Sequence, residues 1–444
     1  MKRLFGIILI FALGLSLCAC VRNAGHAPSP EPETEASDLP HDESGDVSAF
    51  DPDTDTDNRF ILPYYGCVAE TDDVYYWLPS NRQYLLYYDK LTGDMEPLCG
   101  RPECEHIQGG RNGEPNRACD SYLNAEACSL SLYRGKLYYV SDDSEKGGPP
   151  WYSLWRMGPD GTQKEEVLVL EPPEDSRPQT YILHRGMLYS FCFDSIVVAG
   201  ENRCRARYIV TPIDGESCDY TVMYERESHY AQLGYMRFIG QYCYIFNCYT
   251  DEETQQNRTS VLRWNSVTSE TELLGDGPEI GRCYEPWVTR DGEIFAAGED
   301  QNIHRLEDGV WEEYIDFSDD DGNFEAKSIS DGVMIGLRGP GPDQQILKDY
   351  EIWIRRFDGT TLYKGPLPQQ WREAIPAADD AQSSLAFIEG GEGSLLAMFS
   401  AVWPDPSGVT GRTVCAFLVQ YEITPDGLVE KPLGSSRPDL APIN

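Results

Sequence analysis

Catalytic signatures and positive charge are what this 444-residue sequence has least of. It contains six histidines; His26 and His41 fall in a polar N-terminal stretch, leaving His106, His184, His229 and His304 for the rest. There is no Gly-x-Ser-x-Gly elbow, no His-Glu-x-x-His pair and no phosphate loop, so no motif nominates a nucleophile, a catalytic metal or a nucleotide site. No catalytic residue is assigned, although a site assembled in space from distant residues would escape motif reading. The 36 basic residues face 74 acidic ones, a net charge of −38. Nucleic acid and anionic membrane surfaces would both be repelled, and neither is expected as a partner. Beyond Leu4 to Leu17 there is no long apolar run, and no helical domain is evident.

What the N-terminus does have is a basic start, Lys2 and Arg3, a short apolar region, and the ending Leu17-Cys18-Ala19-Cys20. This describes a secretory signal rather than a spanning helix. The ending resembles a bacterial lipobox. Cys20 fits as the lipidated residue because small Ala19 precedes it, whereas Cys18 follows bulky Leu17. Residues 1–19 are therefore expected to be a lipoprotein signal peptide and residues 20–57 a lipidated, disordered tether. From Val21 to Asp57 the chain carries eleven acids against Arg22 alone and almost no large apolar residue. Such a segment buries too little surface to offset its ordering entropy. The Asp51, Asp53, Asp55, Asp57 alternation lacks the glycine and closing glutamate of a calcium loop, so a solvated charge run is the preferred reading.

From residue 58 to about 440 one unit recurs. Its clearest copy runs from Leu132 to Leu170: an apolar run, a tight turn at Arg134-Gly135, an aromatic strand, a loop, a third strand to Met157, a Gly-Pro-Asp-Gly turn and a fourth strand. Equivalents of the first turn fall at Asp72, Gly186, Gly240, Gly292, Gly332 and Gly393. Equivalents of the second fall at Gly93, Gly161, Gly215, Thr268, Gly309, Gly359 and Gly427. The two markers alternate seven times. A four-stranded meander exposes two apolar faces, and radial packing buries them against its neighbours. The expectation is an all-β chain: a single β-propeller of seven four-stranded blades, with six or eight as the alternatives.

Fourteen cysteines leave twelve once Cys18 departs with the signal and Cys20 takes a lipid. An even number in an exported chain permits disulfides. Cys99, Cys104, Cys119 and Cys128 lie in an insertion, residues 99–128, between the first and second blades. That segment has too little apolar content to pack unaided and needs a staple. Disulfides among the four cysteines come first. A metal site of Cys99, Cys104, His106 and Cys119 comes second: the ligand types suit structural zinc, but the spacing is not standard. Any such metal would be structural, since four protein ligands leave no open position. No other cofactor is implied.

Over Tyr88 to His106, which ends Cys99-Gly-Arg-Pro-Glu-Cys104-Glu-His106, and Cys119-Asp-Ser-Tyr-Leu123, and in repeat style from about residue 58 to 435, the chain resembles cell-surface lipoproteins of Gram-positive, clostridia-like bacteria. Their propellers are domains of unknown function, broadly similar to TolB-like propellers. Those lipoproteins carry a similar Cys, Pro-x-Cys-x-His, Cys-x-x-Tyr arrangement after the first blade; here the gap from His106 to Cys119 is longer. The resemblance implies a fold and a cell-surface location and brings no activity with it.

Two aromatics, Trp151 after Gly148-Pro-Pro and Trp403 before Pro-Asp-Pro, read as loop residues that would suit stacking on a sugar or a peptide side chain. The acid cluster Asp316 to Glu325, with Asp319, Asp321 and Glu325 as conceivable calcium ligands, reads better as a solvated inter-blade turn. The expected protein is a lipid-anchored propeller at the cell membrane, facing outside the cytoplasm, that binds or scaffolds a protein, peptide or glycan. A surface enzyme acting on glycans or peptides and an envelope-assembly factor are the alternatives.

Overall fold

The repeat pattern becomes strands because its middle strands are buried on both faces. Tyr242–Thr250 keeps seven consecutive residues buried, and Val333–Arg338 five, so simple alternation gives way to continuous apolar runs. Outer strands such as Glu165–Leu170 are covered less, with only Leu170 of its six residues buried. Arg134-Gly135 (φ 48° and 68°) and Arg185-Gly186 (φ 48° and 73°) take positive φ at both central hairpin positions, the twist that two-residue β-turns require.

The computed structural model describes residues 50–61, 67–79, 84–104, 106, 116–123, 130–142, 152–171, 173, 176–214, 219–319, 322–339, 350–375, 381–404 and 412–436. Seven four-stranded antiparallel sheets follow one another along the chain, each in simple sequential order. Blade one comprises Cys67–Glu70, Val74–Leu78, Leu86–Asp89 and Met95–Pro97, and blade two Ser131–Tyr133, Lys136–Asp142, Tyr152–Met157 and Glu165–Leu170. Blade three is Arg177–His184, Met187–Val198, Glu201–Pro212 and Thr221–Ser228; blade four is Leu233–Ile239, Tyr242–Thr250, Asn257–Asn265 and Thr271–Gly277. Blade five is Tyr284–Val288, Ile294–Ala297, Ile303–Glu307 and Val310–Ile315; blade six is Glu325–Ser330, Val333–Arg338, Glu351–Arg356 and Thr361–Pro366. Blade seven is Gln382–Gly390, Ser394–Pro404, Arg412–Thr424 and Gly427–Ser435. First strands of neighbouring blades touch, which makes them the inner wall of the ring. The expected seven-bladed propeller is what forms, and the strand-to-strand turns fall at the marker residues.

The core lies between blades. One cluster joins Val333 and Ile354 of blade six to Leu395 and Phe417 of blade seven through Trp371, which stacks on Phe399 at 4.7 Å. Another joins Trp77 and Tyr88 of blade one to Phe387, Met398 and Leu418 of blade seven. Among the described residues no strand is shared across that seam: blade seven is built from Gln382 to Ser435. Side-chain packing joins the two blades there, and the Asn58–Phe60 helix touches the first strand of each.

Residues 51–57 depart from the tether expected of them. Thr54 N and Asp55 N both donate to Asp51 O (3.1 and 2.7 Å), making a turn, and Asp57 caps a short 3-10 helix, Asn58–Phe60. This strap crosses the hairpins between first and second strands. Arg134 N of blade two donates to Asp53 O (2.6 Å), and Arg185 N of blade three to Thr54 O (2.8 Å). The Arg185 guanidinium donates to both oxygens of Asp55 (2.5 and 3.0 Å). In blade four, Asn58 brackets the Phe238 backbone, donating to its carbonyl (2.7 Å) and accepting from its N–H (2.9 Å). Acidic composition argued for disorder; backbone pairing and one buried carboxylate on Arg185 override it.

Candidate metal centre

In a four-stranded meander, first-to-second and third-to-fourth turns share one face of the ring. Second-to-third loops and the connections between blades share the other. The connection from Pro97 to Ser131 therefore leaves blade one and enters blade two at the ends away from the strap, and between them it reaches blade two's third-to-fourth turn, where Gly161 lies against Leu98. Its described parts are fastened to the start of blade one's third strand: Leu85 N donates to Ser121 O (2.8 Å), Leu98 N to Leu85 O (2.9 Å), and Asn116 N to Tyr84 Oη (2.6 Å). A bridge between Tyr84 and Tyr122 adds to these, and Lys164 Nζ of blade two donates to Tyr122 O (3.0 Å). Tight turns, Cys104 N to Arg101 O (3.1 Å) and Cys119 N to Asn116 O (3.0 Å), bend the chain at two of its cysteines.

These turns bring Cys99, Cys104, His106 and Cys119 together, with one ligand atom from each all within 4.8 Å of one another. His106 Nδ1 lies 3.4 Å from Cys119 Sγ. Cys119 is buried and the other three are half-buried. Around them, Cys119 Sγ meets Ser121 Oγ (2.9 Å), and Arg101 Nε donates to Asp120 (3.0 Å), whose carboxylate is 3.8 Å from Cys99 Sγ. Burial pushes the Cys99 thiol up, but hydrogen bonds from the Arg101 and Asp120 backbone and from the neighbouring thiols bring it below its ordinary value. Burial, with Cys119 and Cys99 alongside, pushes the Cys104 thiol up to about 12. Disulfides were the first expectation here and a metal set the second; the structure brings Cys99, Cys104 and Cys119, unbridged, together with a histidine. Cys128 lies outside the described residues.

The other nominated residues fare differently. Cys20 and Trp151 lie outside the described residues. Trp403 is not on a loop: it sits in the strand Ser394–Pro404, opposite Thr413, and is 3% exposed within the core between blades six and seven. The strand runs on to Pro404, at the ring's rim, where a third-strand partner still pairs it. Buried there, Trp403 presents no free ring face for a ligand to stack on. In the Asp316 cluster, Ser318 N and Oγ donate to Asp316 (2.7 and 2.6 Å) while Phe317 and Phe324 are buried, anchoring a small hairpin. Asp321 lies outside the described residues.

A charged group on the inner wall escaped sequence reading. Arg237 of blade four, Glu285 of blade five, Lys327 of blade six and Glu389 of blade seven all lie on first strands. Glu285 occupies a β-bulge between Tyr284 and Trp287 at φ 44°. Burial raises the Glu285 carboxyl, opposed by Lys327 and Arg237. Glu389 accepts from Ser328 Oγ (2.8 Å), and burial, then Glu285, push it up to about 8. Arg237 donates to Met236 O (3.0 Å) and to Ile61 O of the strap (3.5 Å), and burial lowers it. On the same wall His184 Nε2 lies 2.7 Å from Gly240 O and its Nδ1 accepts from Thr56 N (3.1 Å). Burial takes it down to about 4, so it is a neutral structural histidine. The only hint of this network in the sequence was a polar residue inside an apolar first strand, as in Met236-Arg237-Phe238.

Fold and site together define the class, a seven-bladed β-propeller with a Cys3His cluster in its first inter-blade connection. No family model matches the chain, and no curated protein matches it in sequence. Solved structures similar to it include a prolyl endopeptidase, at 13% identity and a TM-score of 0.49, with 86% of this chain and 51% of that one covered. The Pyrococcus horikoshii acylaminoacyl peptidase is similar at 11% and 0.44, covering 85% and 54%. The propeller domain of the Trilobed protease from Pyrococcus furiosus is similar at 10% and 0.45, covering 85% and 97%. The chain spans about half the length of the first two peptidases. At these identities the likeness concerns fold alone. Among the described residues no helix is long and apolar enough to cross a membrane.

Proposed function

We propose that this chain is a lipid-anchored, extracytoplasmic β-propeller of the Gram-positive lipoprotein kind, attached to the membrane through Cys20 only. It binds or scaffolds a protein, peptide or glycan on the face opposite its strap. The observation that carries this reading is the strap itself. Because Asp53 to Asn58 is fastened across the first hairpins of blades two, three and four, the N-terminal side of the chain leaves from that face. The tether therefore joins the propeller at that face and leaves the opposite ends of the blades unencumbered. Half-exposed Tyr230 and Tyr284 lie away from the strap, each at the entry to a first strand. Tyrosines so placed combine contact area with a hydrogen-bonding tip.

Glycan and peptide arrays probed with the purified chain test this. The expected result is a ligand whose binding survives Arg290→Glu on the strap face and is lost in Tyr230→Ala combined with Tyr284→Ala. Binding lost in the first variant and kept in the second overturns the face assignment; no ligand on either array overturns the binding reading. Fatty-acid labelling of the wild type but not of Cys20→Ala is the expected companion result.

A further inference from the structure

We infer that Cys99, Cys104, His106 and Cys119 bind one zinc ion, which fixes the first inter-blade connection between blades one and two. The inference stands apart from the ligand proposed above. Tetrahedral zinc, with Zn–S of about 2.3 Å and Zn–N of about 2.0 Å, sets its ligand atoms about 3.5–3.8 Å apart. The His106 Nδ1 to Cys119 Sγ distance of 3.4 Å already has that length, and the whole set lies within 4.8 Å. Contraction of about 1 Å at the widest edge completes the tetrahedron.

The donor chemistry selects the metal. Three thiolates and an imidazole suit a borderline-soft ion with no geometric demand of its own, and calcium or magnesium would need oxygen ligands. Binding releases the three thiol protons and leaves the centre with one net negative charge. The Arg101 guanidinium, held beside Cys99 by Asp120, faces that charge. With four protein ligands there is no open position for a substrate, so the ion's work is mechanical. It joins Cys99 and Cys104, which follow blade one, to Cys119, next to the Tyr84–Tyr122 bridge and the Lys164 contact with blade two. Closing this loop with a metal replaces the apolar core that the connection is too polar to build.

Elemental analysis of the full chain, purified without added metal, is the test, paired with cysteine-resolved alkylation. Expected are one zinc per chain and protection of Cys99, Cys104 and Cys119 that a chelator removes together. Cobalt reconstitution should give the visible bands of a tetrahedral thiolate site, and these should change in His106→Ala. Arg101→Ala, which leaves all four ligands, should weaken zinc binding about 10-fold, as for loss of an outer partner. A metal-free chain with any of the three cysteines mapped into a disulfide overturns the inference. So does zinc retained at full stoichiometry in Cys104→Ser or His106→Ala, or iron in place of zinc. Should those variants fail to fold, the alkylation pattern of the wild type before and after chelation still decides.

Discussion

Replacing Glu389 by Gln should change how the propeller's stability responds to pH. Glu389 is 5% exposed on the inner wall, with Ser328 donating to it, and its carboxyl is raised from an ordinary 4.5 to about 8. Burial is the largest cause, Glu285 adds to it, and Ser328, Arg237 and Ser330 oppose it. Between those two values the folded protein holds a proton that the unfolded chain has released. Stability therefore falls as pH rises through the window and levels off above about 8. At about 1.4 kcal/mol per pH unit the full fall approaches 5 kcal/mol, and partial hydration of the wall brings it to about 3–5 kcal/mol. Gln resembles the protonated acid and can still accept from Ser328. The two proteins should therefore differ little near pH 5, with the variant the more stable by about 2–5 kcal/mol near pH 8. Urea midpoints at pH steps from 5 to 9 give the readout. The general repulsion of a chain with net charge −38 acts on both proteins alike and cancels in the difference. Parallel pH profiles for the two proteins would refute the assignment of a buried, proton-holding carboxyl at this position.

Asp55→Ala should free the strap without unfolding the ring. Its carboxylate is buried on a partly exposed Arg185, and the loss of about 1–3 kcal/mol is local, read as faster hydrogen exchange over residues 51–61 with unchanged exchange in blade six. Unchanged exchange in the strap would mean that its backbone bonds to Arg134 and Arg185 suffice. Trp403→Ala should cost about 3–5 kcal/mol of stability by leaving a cavity beside the blade-seven core. Any array ligand should still bind at full affinity to the folded fraction; a selective loss of binding would return Trp403 to the list of contact residues.

The fold was legible because its signals are local. Thirteen of the fourteen turn markers lie in described residues, and hairpin glycines such as Gly135, Gly186 and Gly309 carry the positive φ that made them stand out. Whatever depends on distant parts of the chain was not legible. Asp51 to Asp57 looked like a solvated run because Arg185, the partner of Asp55, is 130 residues away. Trp403 looked like a loop residue because the prolines after it hid a strand of eleven residues. Arg237, Glu285 and Glu389 come from three blades and meet only once the ring exists. The cysteine cluster falls between these cases. Its residue types were readable, whereas the turns at Cys104 and Cys119 that make an unusual spacing converge were not.

The seam between the first and last blades bears on how such a chain grows. Each blade is complete within one contiguous stretch, and among the described residues no strand crosses from one end of the chain to close the circle. Duplication or loss of a blade-length stretch would leave every surviving sheet with all four of its strands, so only the packing angle around the ring has to readjust. Nor does any blade have to wait for the far terminus before its own hairpins can pair, which keeps most strand pairings short in sequence and favours rapid assembly. A propeller joined this way is free to vary its number of repeats over evolutionary time, with Trp77, Tyr88, Phe387 and Leu418 as the side chains that would have to be refitted.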